Sequence, residues 1–336
     1  MNTVRWGVLS TANIAQGQLI PAIKRARNAE VQAIASRSNK VHEVAERLDI
    51  PKAYESYEEL LNDPDIDVIY IPLPNHLHKE WIIKAARAGK HVLSEKPVTL
   101  TADEAREVVK VCKDNHVLFM EAFMYQFHSQ HARVREILAS GEIGEVKLMK
   151  AAFSFYMEQA DRDKNIRMDV EKGGGSIYDV GCYCIHSIRN ILQEEPREIQ
   201  VQAEMDEVRN IDLTSFVHMK MENGIPAVFD CSFDMSFRHE YEIIGTKGRI
   251  QVPRAYRPDK NGGEGLIIIE KDNEDRVEKL IADQYALEVE YFSECVLQGK
   301  EPIYTGENTI KNMEVIEACY KAIGTKEKVF LNESKR

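Results

Sequence analysis

The chain has 336 residues, long enough for two domains with separate cores, and its 43% hydrophobic and 29% charged residues are the balance of a globular protein. Its 44 Lys and Arg stand against 55 Asp and Glu, and the net charge of −11 argues against a nucleic-acid partner or an anionic membrane surface. No apolar run reaches the roughly 18 residues of a membrane span. The N-terminus enters a strand directly, without a signal peptide's apolar core. Six scattered cysteines form neither a disulfide framework nor a zinc pattern, so the expected location is the cytoplasm, with reduced thiols.

From Val4 to Ser38 the pattern is strand, tight turn, helix, strand. Val4–Leu9 is apolar, Ser10-Thr11-Ala12-Asn13 is a turn of small residues, Ile14 to Arg27 can carry a helix with Pro21 a possible kink, and Val31–Ala35 is a second apolar run. This is the layout of a dinucleotide-binding unit, in which backbone N–H groups approach a pyrophosphate at a helix N-terminus. The glycine motif itself is missing, because Ser10, Ala12 and Ala15 occupy the three positions of Gly-x-Gly-x-x-Gly.

The alternation continues. Helices are predicted over Lys40–Leu48, Tyr57–Leu61, Lys79–Ala88 and from Ala102 to about Asn115, the last with Thr101 and Glu104 as a capping box. Strands are predicted at Val68–Ile71, His91–Ser94 and Val117–Met120, with Pro72–His76 a loop. Alternating strands and helices imply a parallel, doubly wound α/β sheet of the Rossmann type over residues 1–122, and ligands of such sheets bind outside the carboxyl ends of the strands. Polar and small residues collect at those ends: the Ser10 turn, Ser36-Arg37, Pro72–His76, Glu95-Lys96-Pro97 and Glu121.

Residues 123–336 read differently. A helix at His128–Ala139 and a strand at Val146–Tyr156 precede Gly173-Gly174-Gly175 and a helical stretch, about Tyr178–Leu192. Strand candidates then follow closely from Glu198 to Leu280, and helices at Tyr285–Leu297 and Asn308–Ile323 close the chain. The expectation is an α+β domain with a large, mostly antiparallel open sheet, helices on one face and a second subunit a candidate for the other.

Three stretches carry chemistry. The second strand ends in Ser36-Arg37-Ser38, where an NAD site commonly has an acid; Arg37 instead suits a ribose 2′-phosphate and favours NADP over NAD. Lys96, held in direction by Pro97, can bond a ribose hydroxyl and a reacting oxygen. After the glycines, a helix would align Asp179 with Tyr183, and His186 three positions further on could join that face. A phenol beside an ammonium can supply the proton an incipient alkoxide needs. His76-Leu77-His78 has no third ligand at useful spacing, and no metal is expected.

These stretches together resemble the glucose–fructose oxidoreductase / inositol dehydrogenase / MocA (Gfo/Idh/MocA) family. The pieces are GVLSTANIA at 7–15, ASRS at 35–38, YIPLPNHLH at 70–78, AGKHVLSEKP at 88–97, MEAFMYQFH at 120–128, GGGSIYDVGCY at 173–183, IIGTKGRI at 243–250 and YALEVEYFSECVLQGKEP at 285–302. Tyr183 stands where the inositol branch has histidine, which is similar to the branch with aldose and dihydrodiol dehydrogenases. Many relatives have arginine where this chain has Gln126.

The resemblance implies an oxidoreductase moving a hydride between NADP, or NAD, and a sugar, polyol or related cyclic alcohol. Lys96, Tyr183 and Asp179 would be catalytic, and Lys96, Tyr125, Tyr183 and His186 would meet substrate. Ser10, Thr11, Ala12, Asn13 and Ile14 would line the pyrophosphate, Ser36, Arg37 and Ser38 the adenosine ribose, and Pro72, Asn75, His76, Glu95, Lys96 and Glu121 the nicotinamide side. The alternatives are an NAD-dependent inositol-type dehydrogenase and a non-catalytic dinucleotide sensor. The expected partners are a small-molecule substrate and further copies of the chain, a dimer or tetramer through the C-terminal sheet.

Overall fold

In the computed structural model residues 3–272 and 274–331 are described. They fall into two compact units: the chain through Met124 together with Gln284–Met313, and Tyr125–Asp283 together with the described residues from Glu314 onward.

The first unit is built on six parallel strands, β1 (Val4–Leu9), β2 (Ala29–Ala35), β3 (Lys52–Tyr54), β4 (Val68–Ile71), β5 (His91–Ser94) and β6 (Phe119–Glu121). Their order, β3-β2-β1-β4-β5-β6, is the doubly wound arrangement. Strand β4 is buried at all four residues, as its unbroken apolar run requires of a strand covered on both faces. Strand β3 has no apolar pattern, since its three residues are only part-buried at the sheet edge, and the sequence does not reveal it. The connecting helices are α1 (Ile20–Arg25), α2 (Val41–Arg47), α3 (Tyr57–Leu61), α4 (Asn75–Arg87) and α5 (Ala102–Asp114). A π-helical turn at Ala15–Leu19 leads into α1. Pro21 follows it directly, and the wider turn relieves the clash of its ring with the preceding turn of backbone. Thr101 caps α5 by accepting from Glu104 N–H at 3.2 Å, while the Glu104 carboxylate reaches back to Leu100 N–H, also at 3.2 Å.

The expected division at 122/123 assigned everything downstream to the second domain. Gln284–Met313 instead groups with the first unit. Trp6 of β1 is the reason. Its indole N–H donates to Ser293 Oγ at 3.1 Å and its ring meets Phe292 edge-on at 6.0 Å. At the surface Arg27 pairs with Glu290 at 2.7 Å.

The second unit contains α6 (Ser129–Ala139), β7 (Val146–Tyr156), a short α7 (Gln159–Arg162) and α8 (Cys182–Leu192). Strands β8 (Pro196–Asp206), β9 (Ile211–Met221), β10 (Pro226–Ser232), β11 (Asp234–Gly245), β12 (Gly248–Val252), β13 (Glu264–Lys271) and β14 (Glu274–Ile281) follow. Helix α9 (Gln284–Gln298) belongs to the first unit, α10 (Gly306–Thr325) is divided between the two at Met313, and β15 (Val329–Phe330) follows in the second. The nine strands form one sheet in the order β14-β13-β12-β11-β7-β10-β9-β8-β15, antiparallel except for β7 beside β10. Register places Met149, Ala151 and Phe153 of β7 beside Ala227, Phe229 and Cys231 of β10, all buried on the face where α8 packs. The other face mixes part-exposed Leu148 and exposed Phe216 with the Lys150–Glu242 and Arg249–Glu242 ion pairs, both at 3.2 Å. Among the described residues no helix is long and apolar enough to cross a membrane.

Candidate active site

At the end of β1 the chain turns left-handed at Ser10, where φ is +91°. This is the conformation that favours glycine at the first position of the phosphate motif, and the serine holds it despite its Cβ. Ser10 N–H donates to Ala35 O at 2.7 Å, and residues 13–25 are helical. Residues Ser10 to Ile14 are exposed or part-exposed at the N-terminal end of that helical run, as an approaching anion needs.

At the tip of β2, Ser36 is buried, and its hydroxyl accepts from Ser38 N–H at 3.1 Å. Arg37 points outward, its guanidinium carbon 5.2 Å from the Tyr57 ring centroid and 5.4 Å from that of Trp81. Among the described residues no carboxylate is within ion-pair distance of Arg37, so its planar donors are available to an outside anion. A phosphate turn with an unpaired arginine at the next strand tip fits a dinucleotide carrying a 2′-phosphate.

The remaining tips are more heavily built in than expected. Asn75 and His76 do not lie in a loop: they form the first turn of α4, with Pro74 at its N-cap, and Pro72 is buried. His78, also buried, has its ring between Leu73 O and Pro97 O, at 2.7 and 2.9 Å. The Lys96–Pro97 peptide is cis. Tyr70 O–H donates to Glu95 Oε1 at 2.6 Å. Glu121, expected on the nicotinamide side, is fully buried; it accepts from Val98 N–H at 2.9 Å and Tyr304 O–H at 3.4 Å, bracing the segment that carries Lys96.

In the second unit the three glycines end at Gly175, with φ of +121°. A Cβ there would lie 2.2 Å from Asp212 Oδ1 and 2.6 Å from the Tyr320 hydroxyl, so only glycine permits this approach. Asp212 is fully buried and accepts four bonds: from Ser176 Oγ (2.6 Å), Ile177 N–H (2.8 Å), Ser215 Oγ (3.1 Å) and Tyr320 O–H (2.8 Å). Burial pushes its pKa up, and these donors pull it back. Asp212 thereby fixes the start of the helical segment that bears Asp179 and Tyr183.

That segment is not uniform α-helix. A π-helical turn at Ile177–Gly181 precedes α8 and shifts Asp179 from simple α-helical stacking over Tyr183. Asp179 Oδ2 instead accepts from Arg167 Nε at 2.7 Å. Tyr183 is 6% exposed, its ring packed against Phe153, Tyr256 and Tyr125 at centroid distances of 5.3, 5.5 and 5.9 Å. Tyr125 and His186, both expected at the substrate, are buried at 0% and 1% exposure, and the Tyr125 hydroxyl and His186 Nδ1 share a hydrogen bond. Burial holds the His186 pKa well below its usual value, so the ring is neutral. Tyr125 also packs against the Tyr183 ring. Cys182 and Cys184 are buried core thiols. Among the described residues no three His, Cys, Asp or Glu side chains are grouped to hold a metal ion.

Sequence reasoning overlooked Arg167, Asp212, Tyr57 and Trp81. The partner of Arg167 is 12 residues away, and three of the four partners of Asp212 are 35 to 108 residues away, so no local spacing marks them. Tyr57 had a weak signal, as the first residue of a helix capped by Ser56 beside a cofactor turn.

The strand order of the first unit, with the left-handed Ser10 turn and Arg37 at neighbouring strand ends, is that of a dinucleotide-binding domain. The family described as oxidoreductase family, NAD-binding Rossmann fold, matches residues 4–123, and the GFO/IDH/MocA C-terminal domain matches residues 131–251. D-xylose 1-dehydrogenase (NADP(+)) 2 of Haloferax volcanii is 36% identical over 95% of this chain and 97% of its own. Trans-1,2-dihydrobenzene-1,2-diol dehydrogenase of Mus musculus is 28% identical over 96% of this chain and 97% of its own. The crystal structure of KijD10, a 3-ketoreductase of Actinomadura kijaniata in complex with NADP and TDP-benzene, superposes with a TM-score of 0.89 at 30% identity, covering 95% of this chain and 98% of that one. KijD10 has also been solved with a tyrosine replaced by phenylalanine and with a lysine replaced by alanine or glutamate. The chain belongs to the Gfo/Idh/MocA oxidoreductase family.

Proposed function

We propose that this protein is an NADP-dependent dehydrogenase or reductase of a sugar, polyol or related cyclic alcohol, with Tyr183 as the group that exchanges the hydroxyl proton. The observation that carries this reading is the placement of Tyr183: a phenol clamped by three aromatic rings on the helix that Asp212 and the glycine loop fix. A nearly buried phenol with a fixed ring moves a proton along one direction, which is what a general acid–base needs. Lys96, just past the end of β5, is a cation able to bond a substrate oxygen. Asp179, held by Arg167, stays an acceptor that orients substrate hydroxyls. Ser10 to Ile14 hold the pyrophosphate, and Ser36, Arg37 and Ser38 the 2′-phosphorylated ribose. NADP, when bound, supplies or accepts the hydride.

The name of the xylose relative and the NADP complex of the ketoreductase support the cofactor and the sugar-like substrate, and the lack of an acid at the β2 tip disfavours an NAD-dependent inositol-type enzyme. The test is absorbance of reduced cofactor with NADP and NAD against aldoses, inositols and cyclic diols. Turnover with NADP and an aldose or diol is expected; turnover restricted to NAD and inositols would refute the reading. Tyr183→Phe should lower kcat by roughly 10²–10⁴ while NADP binding is retained.

The part-apolar open face of the nine-stranded sheet suits a second copy of the chain. Light scattering should give an oligomer, and Phe216→Glu should shift it toward monomer; a wild-type monomer at micromolar concentration would refute this.

A further inference from the structure

Arg37 rests on a shelf. Tyr57 and Trp81 meet edge to face, with centroids 4.8 Å apart and planes at 85°, and both are buried, at 8% and 1% exposure. The guanidinium spans the two rings at nearly equal distance, 5.2 and 5.4 Å. A second cation, Lys84 Nζ, lies 4.1 Å from the Trp81 centroid, but its charge is matched by Glu58 at 3.0 Å and Glu80 at 2.7 Å. Arg37 differs, since among the described residues it has aromatic support and no acid partner. An arginine free to sample its rotamers would lose that freedom on binding an anion; one already stacked loses less.

We propose that Tyr57 and Trp81 are positioning residues that set the preference for a 2′-phosphorylated cofactor by holding Arg37 in its binding orientation. This rests on the reading that Arg37 faces the 2′-phosphate. Tyr57→Phe keeps the aromatic shelf, so the NADP-to-NAD affinity ratio should be unchanged. Tyr57→Leu removes the ring, and an exposed cation–π contact is worth enough to lower the NADP-to-NAD affinity ratio about three- to fivefold.

The test is calorimetric titration of NADP and NAD, and of adenosine 2′,5′-bisphosphate against AMP, into the full chain and its variants, with no substrate present. In an Arg37→Ala background, Tyr57→Leu should leave the ratio where Arg37→Ala alone puts it. Trp81→Phe, a milder change at a buried site, should lower the ratio about twofold and serves if Tyr57→Leu does not fold. The proposal is overturned if Tyr57→Leu and Trp81→Phe weaken both cofactors equally, or if Tyr57→Leu changes the ratio equally with and without Arg37. A ratio indifferent to Arg37→Ala itself would show that the 2′-phosphate reading had failed, a result distinguishable from failure of the shelf alone.

Discussion

Replacing Asp212 by alanine is the sharpest test of how the second unit presents Tyr183. The substitution removes one acceptor group and strands four donors: Ser176 Oγ, Ile177 N–H, Ser215 Oγ and Tyr320 O–H. The serine hydroxyls can rotate, and Ser176 Oγ already lies 3.4 Å from Cys231 O. Ile177 N–H cannot rotate, and the Tyr320 ring is stacked on Tyr178 at 4.8 Å. Two buried donors without acceptors cost about 1–3 kcal/mol each, and the vacated volume adds to this, so the expected loss is about 3–5 kcal/mol. The raised pKa of Asp212 tempers this figure, because ionising a buried carboxyl is itself unfavourable. For a unit of this size the loss corresponds to a fall in Tm of roughly 6–20 °C, measurable by scanning calorimetry. Asp212→Asn keeps one acceptor oxygen and should lose only ~1–2 kcal/mol. If Asp212→Ala lowers Tm no more than Asp212→Asn, the carboxylate does not organise the segment, and the account of how Tyr183 is fixed is wrong.

Other outcomes follow from the same geometry. Arg37→Ala should weaken NADP at least tenfold and leave NAD within about twofold, read by calorimetry, since a charge-assisted bidentate contact is lost only for the 2′-phosphate. Arg167→Ala breaks a part-exposed ion pair, so stability should change by less than about 1 kcal/mol while kcat/KM falls; an unchanged kcat/KM would mean that Asp179 needs no support. Acid should destabilise the second unit. His131, bonded to Tyr241 and Ala255 O, and His239, accepting from two backbone N–H groups, have pKa values pushed down by burial to about 3 and about 4. The unfolded rings titrate near ~6.5, so below that pH the unfolded chain binds more protons and stability falls as pH drops toward about 4. The two together should lower stability by about 4 kcal/mol between pH 7 and pH 5, and a Tm that does not fall over that interval would contradict their burial as neutral rings.

The sequence by itself determined the first unit's plan and the character of the second. Val68–Ile71, His91–Ser94 and Tyr57–Leu61 lie where the sequence placed them, because a strand covered on both faces and a short helix stopped by a turn are local patterns. Arg37 and Tyr183 were legible for the same reason: each stands at a fixed offset from a strand end or a glycine loop. Only the tertiary structure decided what each of these residues leans on. Ser10 takes a glycine's conformation without a glycine, Trp6 draws Phe292 and Ser293 to the first sheet from nearly 290 residues away, and Glu121 turns inward to brace the segment after Lys96. Tyr125 shares a hydrogen bond with His186 and packs against Tyr183. Partners this distant are chosen by burial, which leaves a polar group no alternative but the nearest complementary atom, and no periodicity in the chain records that choice.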